Sequence, residues 1–169
     1  TSAKGRVAIL TGCAQPVLNP GINEATIRFL NRLDIEVVVP EGEGCCGALV
    51  HHMGREEEAL DAARRNVDAW MRVMAEGGLD AIIITASGCG TTIKDYGHML
   101  RLDPDYAEKA ARVSDLAKDI TEYLGQLDMP APDRVPAIRV TYHSACSMQH
   151  GQKITDLPKQ LLTAAGFQI

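Results

Sequence analysis

The chain has 169 residues, 46% of them hydrophobic and 23% charged, which is enough apolar material for a real core and sets it among ordinary globular chains. Acidic residues outnumber basic ones by 22 to 17, for a net charge of −5, and no run of Lys and Arg is long enough to follow a phosphate backbone, which excludes nucleic acid as an expected partner. No apolar stretch approaches the roughly 20 residues needed to span a bilayer, and residues 1–6 hold no signal-peptide core, so the expected address is cytoplasmic, with peripheral contact at the inner face of the cytoplasmic membrane left open.

Residues 6–11, Arg-Val-Ala-Ile-Leu-Thr, are rich in strand formers and stop at Gly12-Cys13, which predicts a first strand. Ile22, Ile27, Leu30 and Leu33 fall near one face of a helix over residues 23–33, with Pro20 and Gly21 at its start. Residues 35–40, Ile-Glu-Val-Val-Val-Pro, predict a second strand, followed by the loop Glu-Gly-Glu-Gly-Cys-Cys-Gly at residues 41–47. Leu60, Ala63, Val67, Trp70, Met71 and Met74 recur at helical spacing over residues 56–76, with Gly77 and Gly78 as a stop signal; this stripe reads as core rather than as a cofactor box. Residues 80–85, Asp-Ala-Ile-Ile-Ile-Thr, are apolar on both faces, as in a central parallel strand covered by helices on both sides. Helical character continues through residues 93–100 and again over 113–127, before a Pro-rich stretch at 129–137 that reads as a linker. Residues 138–143, Ile-Arg-Val-Thr-Tyr-His, predict another strand, residues 157–165 a last helix, and residues 166–169 the start of a further strand. The expected fold is therefore α/β: a Rossmann-like parallel sheet with helices on both faces.

The order strand, Cys, nearby Gln, helix, strand occurs twice, with Cys146 standing 133 residues after Cys13. The double cysteine begins 32 residues after Cys13, so its counterpart would fall near position 178, beyond the chain given. The expected organisation is a first repeat over residues 1–128, the linker 129–137, and the truncated start of a second repeat over 138–169.

Five cysteines, Cys13, Cys45, Cys46, Cys89 and Cys146, are an odd number in Gly-rich surroundings, which favours thiol chemistry or metal binding over structural disulfides. A single free cysteine is more often a small buried hydrophobe than a ligand. Here, however, each cysteine follows an apolar run, so a parallel sheet would bring them to its carboxyl edge, where open α/β sheets bind ligands. Helix N-termini beside them would favour thiolate, the ligating form, and Gly12, Gly44, Gly47, Gly88 and Gly90 would let backbone N–H groups approach a bulky centre. Four thiolates suit either an iron-sulfur cluster or a structural zinc site. His143 and His150 flank Cys146 and could reach the same edge, whereas His51, His52 and His98 are expected to cap, pair or face solvent. The first strand is followed by Gly12-Cys13-Ala14-Gln15-Pro16 rather than by Gly-x-Gly-x-x-Gly, so no NAD or FAD binding is expected of this chain.

The strings Gly12-Cys13-Ala14-Gln15, Gly44-Cys45-Cys46-Gly47-Ala48, Ala86-Ser87-Gly88-Cys89-Gly90, Lys94-Asp95-Tyr96-Gly97 and the nine residues from Tyr142 to His150 resemble those of glycolate oxidase iron-sulfur subunits. These belong to the wider cysteine-rich, or CCG-domain, family, with the cysteine-rich subunit of heterodisulfide reductase and lactate-utilisation proteins. The resemblance implies a longer parent with a ferredoxin-like region carrying cubane clusters and two cysteine-rich repeats. It implies electron transfer from flavin-containing dehydrogenase subunits, which oxidise glycolate, towards a membrane acceptor, with a 4Fe-4S type cluster in the intact subunit and no catalysis by the fragment alone. The fuller family pattern has Cys-x-x-Cys after the double cysteine, but here Gly90, Thr91 and Thr92 follow Cys89, leaving one thiol there. Two alternatives stay open: a docking or scaffold domain whose cysteines hold zinc or nothing, and thiol/disulfide chemistry of heterodisulfide reductase type at Cys45 and Cys46.

Overall fold

The first apolar run forms strand β1 (Gly5–Ile9) in a computed structural model that describes residues 3–130, 132–135 and 138–169. One turn of helix, α1 (Gln15–Leu18), precedes α2 (Gly21–Arg32), which carries Glu24 in its first turn and Arg32 in its last, each matched to the helix dipole. Leu30 is buried on α2 and Ile27 and Leu33 pack beside it, whereas Ile22 is exposed. Strand β2 (Ile35–Val38) follows, then α3 (Ala48–His52) and the long α4 (Glu56–Gly77). Three glutamates open α4 and Gly78, at φ 74°, closes it, which explains why its bounds were legible. Strand β3 (Ala81–Ile84) is buried along its whole length. Then come α5 (Ser87–Lys94), α6 (Tyr96–Met99), α7 (Ala107–Leu116), strand β4 (Ala117–Asp119) and α8 (Ile120–Leu124). A single π-helical turn, Ser147–Gly151, and helix α9 (Leu157–Ala164) complete the described elements.

The sheet is all-parallel in the order β2-β1-β3-β4, with Val7 opposite Val37 on one side and Ala81 on the other. Period-two alternation divides its side chains between two layers. Ala8, Leu10, Ile82 and Ile84 pack under Val67 and Trp70 of α4, Ile93 of α5 and Val113 of α7. Val7, Ile9, Ala81 and Ile83 pack on the opposite face against Leu30 of α2 and Tyr123 of α8. The expected parallel α/β sheet with helices on both faces is what is found. The chain leaves β1 towards β2 on one side and later continues to β3 on the other, so the switch point lies between the carboxyl ends of β1 and β3.

Three expectations need correction. The helix expected over residues 113–127 is interrupted: α7 ends at Leu116, and Ala117, Lys118 and Asp119 pair with β3 as a fourth strand before α8 begins. Ala-Lys-Asp has no β-branched signal, and pairing with β3 overrides its propensity. Asp119 also caps α8 in a reciprocal box with Glu122, which fixes the break. Residues 93–100 are two helices meeting at Asp95 rather than one. The strands expected at 138–143 and 166–169 amount to one parallel bridge, Arg139 with Gln168, among the described residues. Of the Pro-rich stretch at 129–137, Ala131, Pro136 and Ala137 lie outside the described residues.

Candidate metal centre

The three connections that leave the carboxyl ends of β1, β2 and β3 deliver Cys13, Cys45 with Cys46, and Cys89 to one cavity of about 310 Å³. Its walls are otherwise largely apolar, with Leu10, Ala48, Leu49 and Ala86 among them, and it sits over the switch point of the sheet. The thiols are neighbours close enough to shift one another's ionisation, Cys13 with Cys45 and Cys46 with Cys89. Among the described residues no three Cys, His, Asp or Glu side chains converge tightly enough to enclose a single ion. Cys146 is exposed and does not line this cavity.

Each sulfur sits beside backbone N–H groups. Gly47 N donates to Cys45 Sγ at 3.5 Å, the Ala14 and Ala48 N–H groups approach Cys13 and Cys46, and Cys89 occupies the third position of α5. As protonated thiols the pairs polarise one another. The hydrogen bond to Cys89 and then burial push the Cys46 thiol far up, while the same bond pulls Cys89 below the ordinary thiol value. Cys13 is pushed up chiefly by its bond to Cys45, with burial adding to it.

The loops are anchored to one another by side chains in and around the cavity wall. Glu43 Oε1 accepts from Thr11 N at 3.0 Å, which ties the loop after β2 to the loop after β1. Burial raises the Glu43 carboxyl. Gln15, Asn23 and Thr85 form a closed network: Gln15 Nε2 donates to Asn23 Oδ1 (2.9 Å) and Thr85 Oγ1 (2.7 Å), and Asn23 Nδ2 donates to the carbonyl of Leu10 (3.2 Å). The ends of β1 and β3 are thereby held at a fixed separation on either side of the switch point. Beneath the double cysteine lie Asn66 of α4 and Tyr96 of α6. Asn66 accepts from Gly44 N at 2.9 Å and donates to Cys45 O and Tyr96 Oη, each at 3.1 Å, while Tyr96 Oη donates to Cys46 O at 2.8 Å.

Sequence reasoning did not single out Glu43, Asn23, Thr85, Asn66 or Tyr96 as site residues. Asn66 did leave a signal, since it occupies a core position in the stripe Ala59, Ala62, Ala63, Val67, Trp70 of an otherwise apolar helix face. His51, His98, His143 and His150 do not line the thiol cavity, and His52 alone among the histidines does. Thr92, where a second cysteine would complete the Cys-x-x-Cys spacing, turns its hydroxyl to Gly88 O at 3.2 Å and is absent from the cavity wall. The segment after Cys146 packs on α5: Ser147 Oγ meets Ser87 Oγ at 2.9 Å, and Gln152 Nε2 donates to Ser87 O at 2.9 Å.

The donor set fits a sulfur-ligated centre larger than a single ion. Four thiols line one cavity, N–H groups approach the sulfurs, and the Cβ positions of Gly12, Gly44 and Gly88 open onto free space.

Comparison with known proteins agrees with this chemistry. The family model for the cysteine-rich domain, CCG, matches residues 7–94, more than half of the chain. The glycolate oxidase iron-sulfur subunit of Escherichia coli is 44% identical over 98% of this chain and 40% of its own length. A protein of Bacillus subtilis named "Probable glycolate oxidase iron-sulfur subunit" is 32% identical over 94% of this chain and 35% of its own length. Lactate utilization protein A of Bacillus licheniformis is 27% identical over 93% of this chain and 64% of its own length. The chain thus spans well under two thirds of the first two relatives. No helix among the described residues is long and apolar enough to cross a membrane. A parallel sheet whose strand ends gather four cysteines, read together with the match over residues 7–94, places this chain in the cysteine-rich CCG domain family.

Proposed function

We propose that this chain is the cysteine-rich part of an electron-transfer iron-sulfur subunit in a flavin-linked complex that oxidises a 2-hydroxy acid, glycolate being the leading candidate. The observation that carries the reading is the convergence of Cys13, Cys45, Cys46 and Cys89 on one apolar cavity at the switch point of the sheet. These four residues would hold a 4Fe-4S type cluster, which when bound supplies one-electron transfer between a flavin partner and a membrane acceptor. The chain's own contribution is to place four sulfurs, aim N–H groups at them, and keep water from the innermost, Cys46, which is only 2% exposed. The apolar wall and the N–H donors are the means by which a protein sets the potential of such a centre. Zinc fits less well, because among the described residues no three Cys, His, Asp or Glu side chains converge tightly enough to hold a single ion.

Cys146 marks, in this reading, the corresponding edge of a second repeat that begins near residue 138. The single bridge between Arg139 and Gln168 supports it, since it is parallel like the pairing of Arg6 with Glu36, with Arg139 standing 133 residues after Arg6 and Gln168 132 after Glu36. The positive φ of Gly166 (88°) two residues before Gln168 matches that of Asp34 (61°) two residues before Glu36.

The test is anaerobic reconstitution of this chain with iron and sulfide, followed by elemental analysis and a visible spectrum. Bound iron and labile sulfide that vanish in Cys45→Ala/Cys46→Ala support the reading. Zinc, or no metal, in every form would replace it with the docking-module reading, which the lone thiol in the Cys89-Gly90-Thr91-Thr92 stretch favours.

A further inference from the structure

The double-cysteine loop is fastened from below by two side chains, Asn66 and Tyr96, that do not line the cavity and hold the loop through its backbone. Asn66 is 1% exposed and Tyr96 is fully buried, yet every hydrogen-bonding group they direct at the loop is used. Asn66 Oδ1 takes the N–H of Gly44, and the two hydrogens of its Nδ2 go to Cys45 O and Tyr96 Oη. Tyr96 Oη passes its own hydrogen to Cys46 O. The Tyr96 ring is held in turn against Trp70, with centroids 6.5 Å apart.

A peptide unit is planar and trans, so its C=O and N–H point in opposite directions. When Asn66 and Tyr96 draw the carbonyls of Cys45 and Cys46 down into the core, the N–H groups of the same two peptides, those of Cys46 and Gly47, must face the thiol side. Gly47 N does so, donating to Cys45 Sγ at 3.5 Å. The α3 N-terminus then begins at Ala48 with its free N–H groups at the same edge.

We infer that Asn66 and Tyr96 are positioning residues that set the electronic environment of the Cys45 and Cys46 sulfurs by fixing which way the peptides between Cys45 and Gly47 face. The inference rests on the reading of these thiols as cluster ligands. It goes beyond that reading by assigning the tuning of the site to a buried amide–phenol pair on α4 and α6. An unsatisfied carbonyl in the core is costly, so loss of the phenol hydroxyl would free the Cys46 peptide to rotate and its N–H to leave the sulfur.

The experiment compares wild type, Tyr96→Phe and Asn66→Asp, with Tyr106→Phe as a control that loses a different tyrosine hydrogen bond, the one to Asp68. Two readouts are taken on chains whose circular dichroism is native. In the anaerobic metal-free chain, alkylation of Cys45 is followed by mass spectrometry relative to exposed Cys146 in the same molecule; Tyr96→Phe and Asn66→Asp should change that ratio several-fold, and Tyr106→Phe should not. In the reconstituted chain, loss of N–H donors to sulfur should move the midpoint potential to more negative values and alter the electron paramagnetic resonance spectrum. Ratios and potentials equal to wild type in both folded variants overturn the inference. A changed alkylation ratio in a chain that takes up no iron upholds the positioning role while removing the proposed function, so the two failures are distinct.

Discussion

Gly47 is where the local geometry of the site and the stability of the fold meet, so Gly47→Ala has a calculable consequence. The residue sits at φ 83°, in the left-handed region, which costs a non-glycine residue about 1–2 kcal/mol. An added Cβ would also lie 3.1 Å from Ala59 O and 3.3 Å from Ala59 Cα and Ala62 Cβ. Those atoms belong to α4, whose small residues Ala59 and Ala62 let the loop approach, and helix backbone cannot swing aside as a side chain tip can. Adding roughly 1 kcal/mol for that contact gives about 2–3 kcal/mol in total, typical of local strain plus overpacking. At about 2–4 °C per kcal/mol for a chain of this size, the midpoint of thermal unfolding should fall by about 4–12 °C. Gly54→Ala supplies the reference, because Gly54 has φ 75° but open space at its Cβ and so carries only the backbone cost. Thermal melts followed by circular dichroism would measure both. The reasoning is refuted if Gly47→Ala melts no lower than Gly54→Ala.

Exposure fixes an order of thiol reactivity. In the anaerobic metal-free chain Cys13 and Cys146, both exposed, should be alkylated first and Cys46 last, as read by peptide mass spectrometry; early labelling of Cys46 would contradict its burial. Arg64 holds the Asp103 carboxyl below the usual carboxylate range through a 2.9 Å contact. A depressed pKa contributes stability that is present above the unfolded value, about 4, and is lost as the pH falls through the folded one. Asp103→Asn should therefore melt lower than wild type at pH 7, with the gap closing as the pH is taken below about 4; a gap independent of pH would exclude the ion pair as its cause.

The parts of this fold that could be read from the sequence are those where one strong signal acts alone. The all-apolar run at β3 and the 22-residue stripe of α4, bounded by glutamates and by Gly78, each leave one reading. The fourth strand was hidden because Ala117-Lys118-Asp119 carries no strand signal; its conformation comes from pairing with Ile82, Ile83 and Ile84. The convergence of Cys13, Cys45, Cys46 and Cys89, though not of Cys146, was legible for a topological reason, since every parallel strand delivers its following loop to the same edge. What the sequence did not reveal is what holds those loops. Glu43 reaches Thr11 across 32 residues, and Tyr96 reaches the Cys46 carbonyl across 50. Such pairs have no period and no local motif, and become visible only when the sheet has set α4 and α6 beneath the loop.

The arrangement also explains why residues so distant in sequence can act as one site without a disulfide or a continuous motif. The switch point opens a crevice between β1 and β3, and β2 lies on the far side of β1, so its loop must cross back over the end of β1 to reach the crevice. The Glu43 contact with Thr11 N is made where that crossing occurs. Beyond it the loop has no strand to follow, and the Asn66 and Tyr96 side chains replace the missing ladder by satisfying Gly44 N, Cys45 O and Cys46 O. Cys89 needs no such support, because the first turn of α5 already fixes it. That same turn receives Ser147 and Gln152 at Ser87, so the segment that follows Cys146 is seated on the helix that carries Cys89. A displacement of α5 would therefore disturb both the thiol cavity and the Cys146 segment, while a change at Asn66 or Tyr96 should disturb the cavity alone.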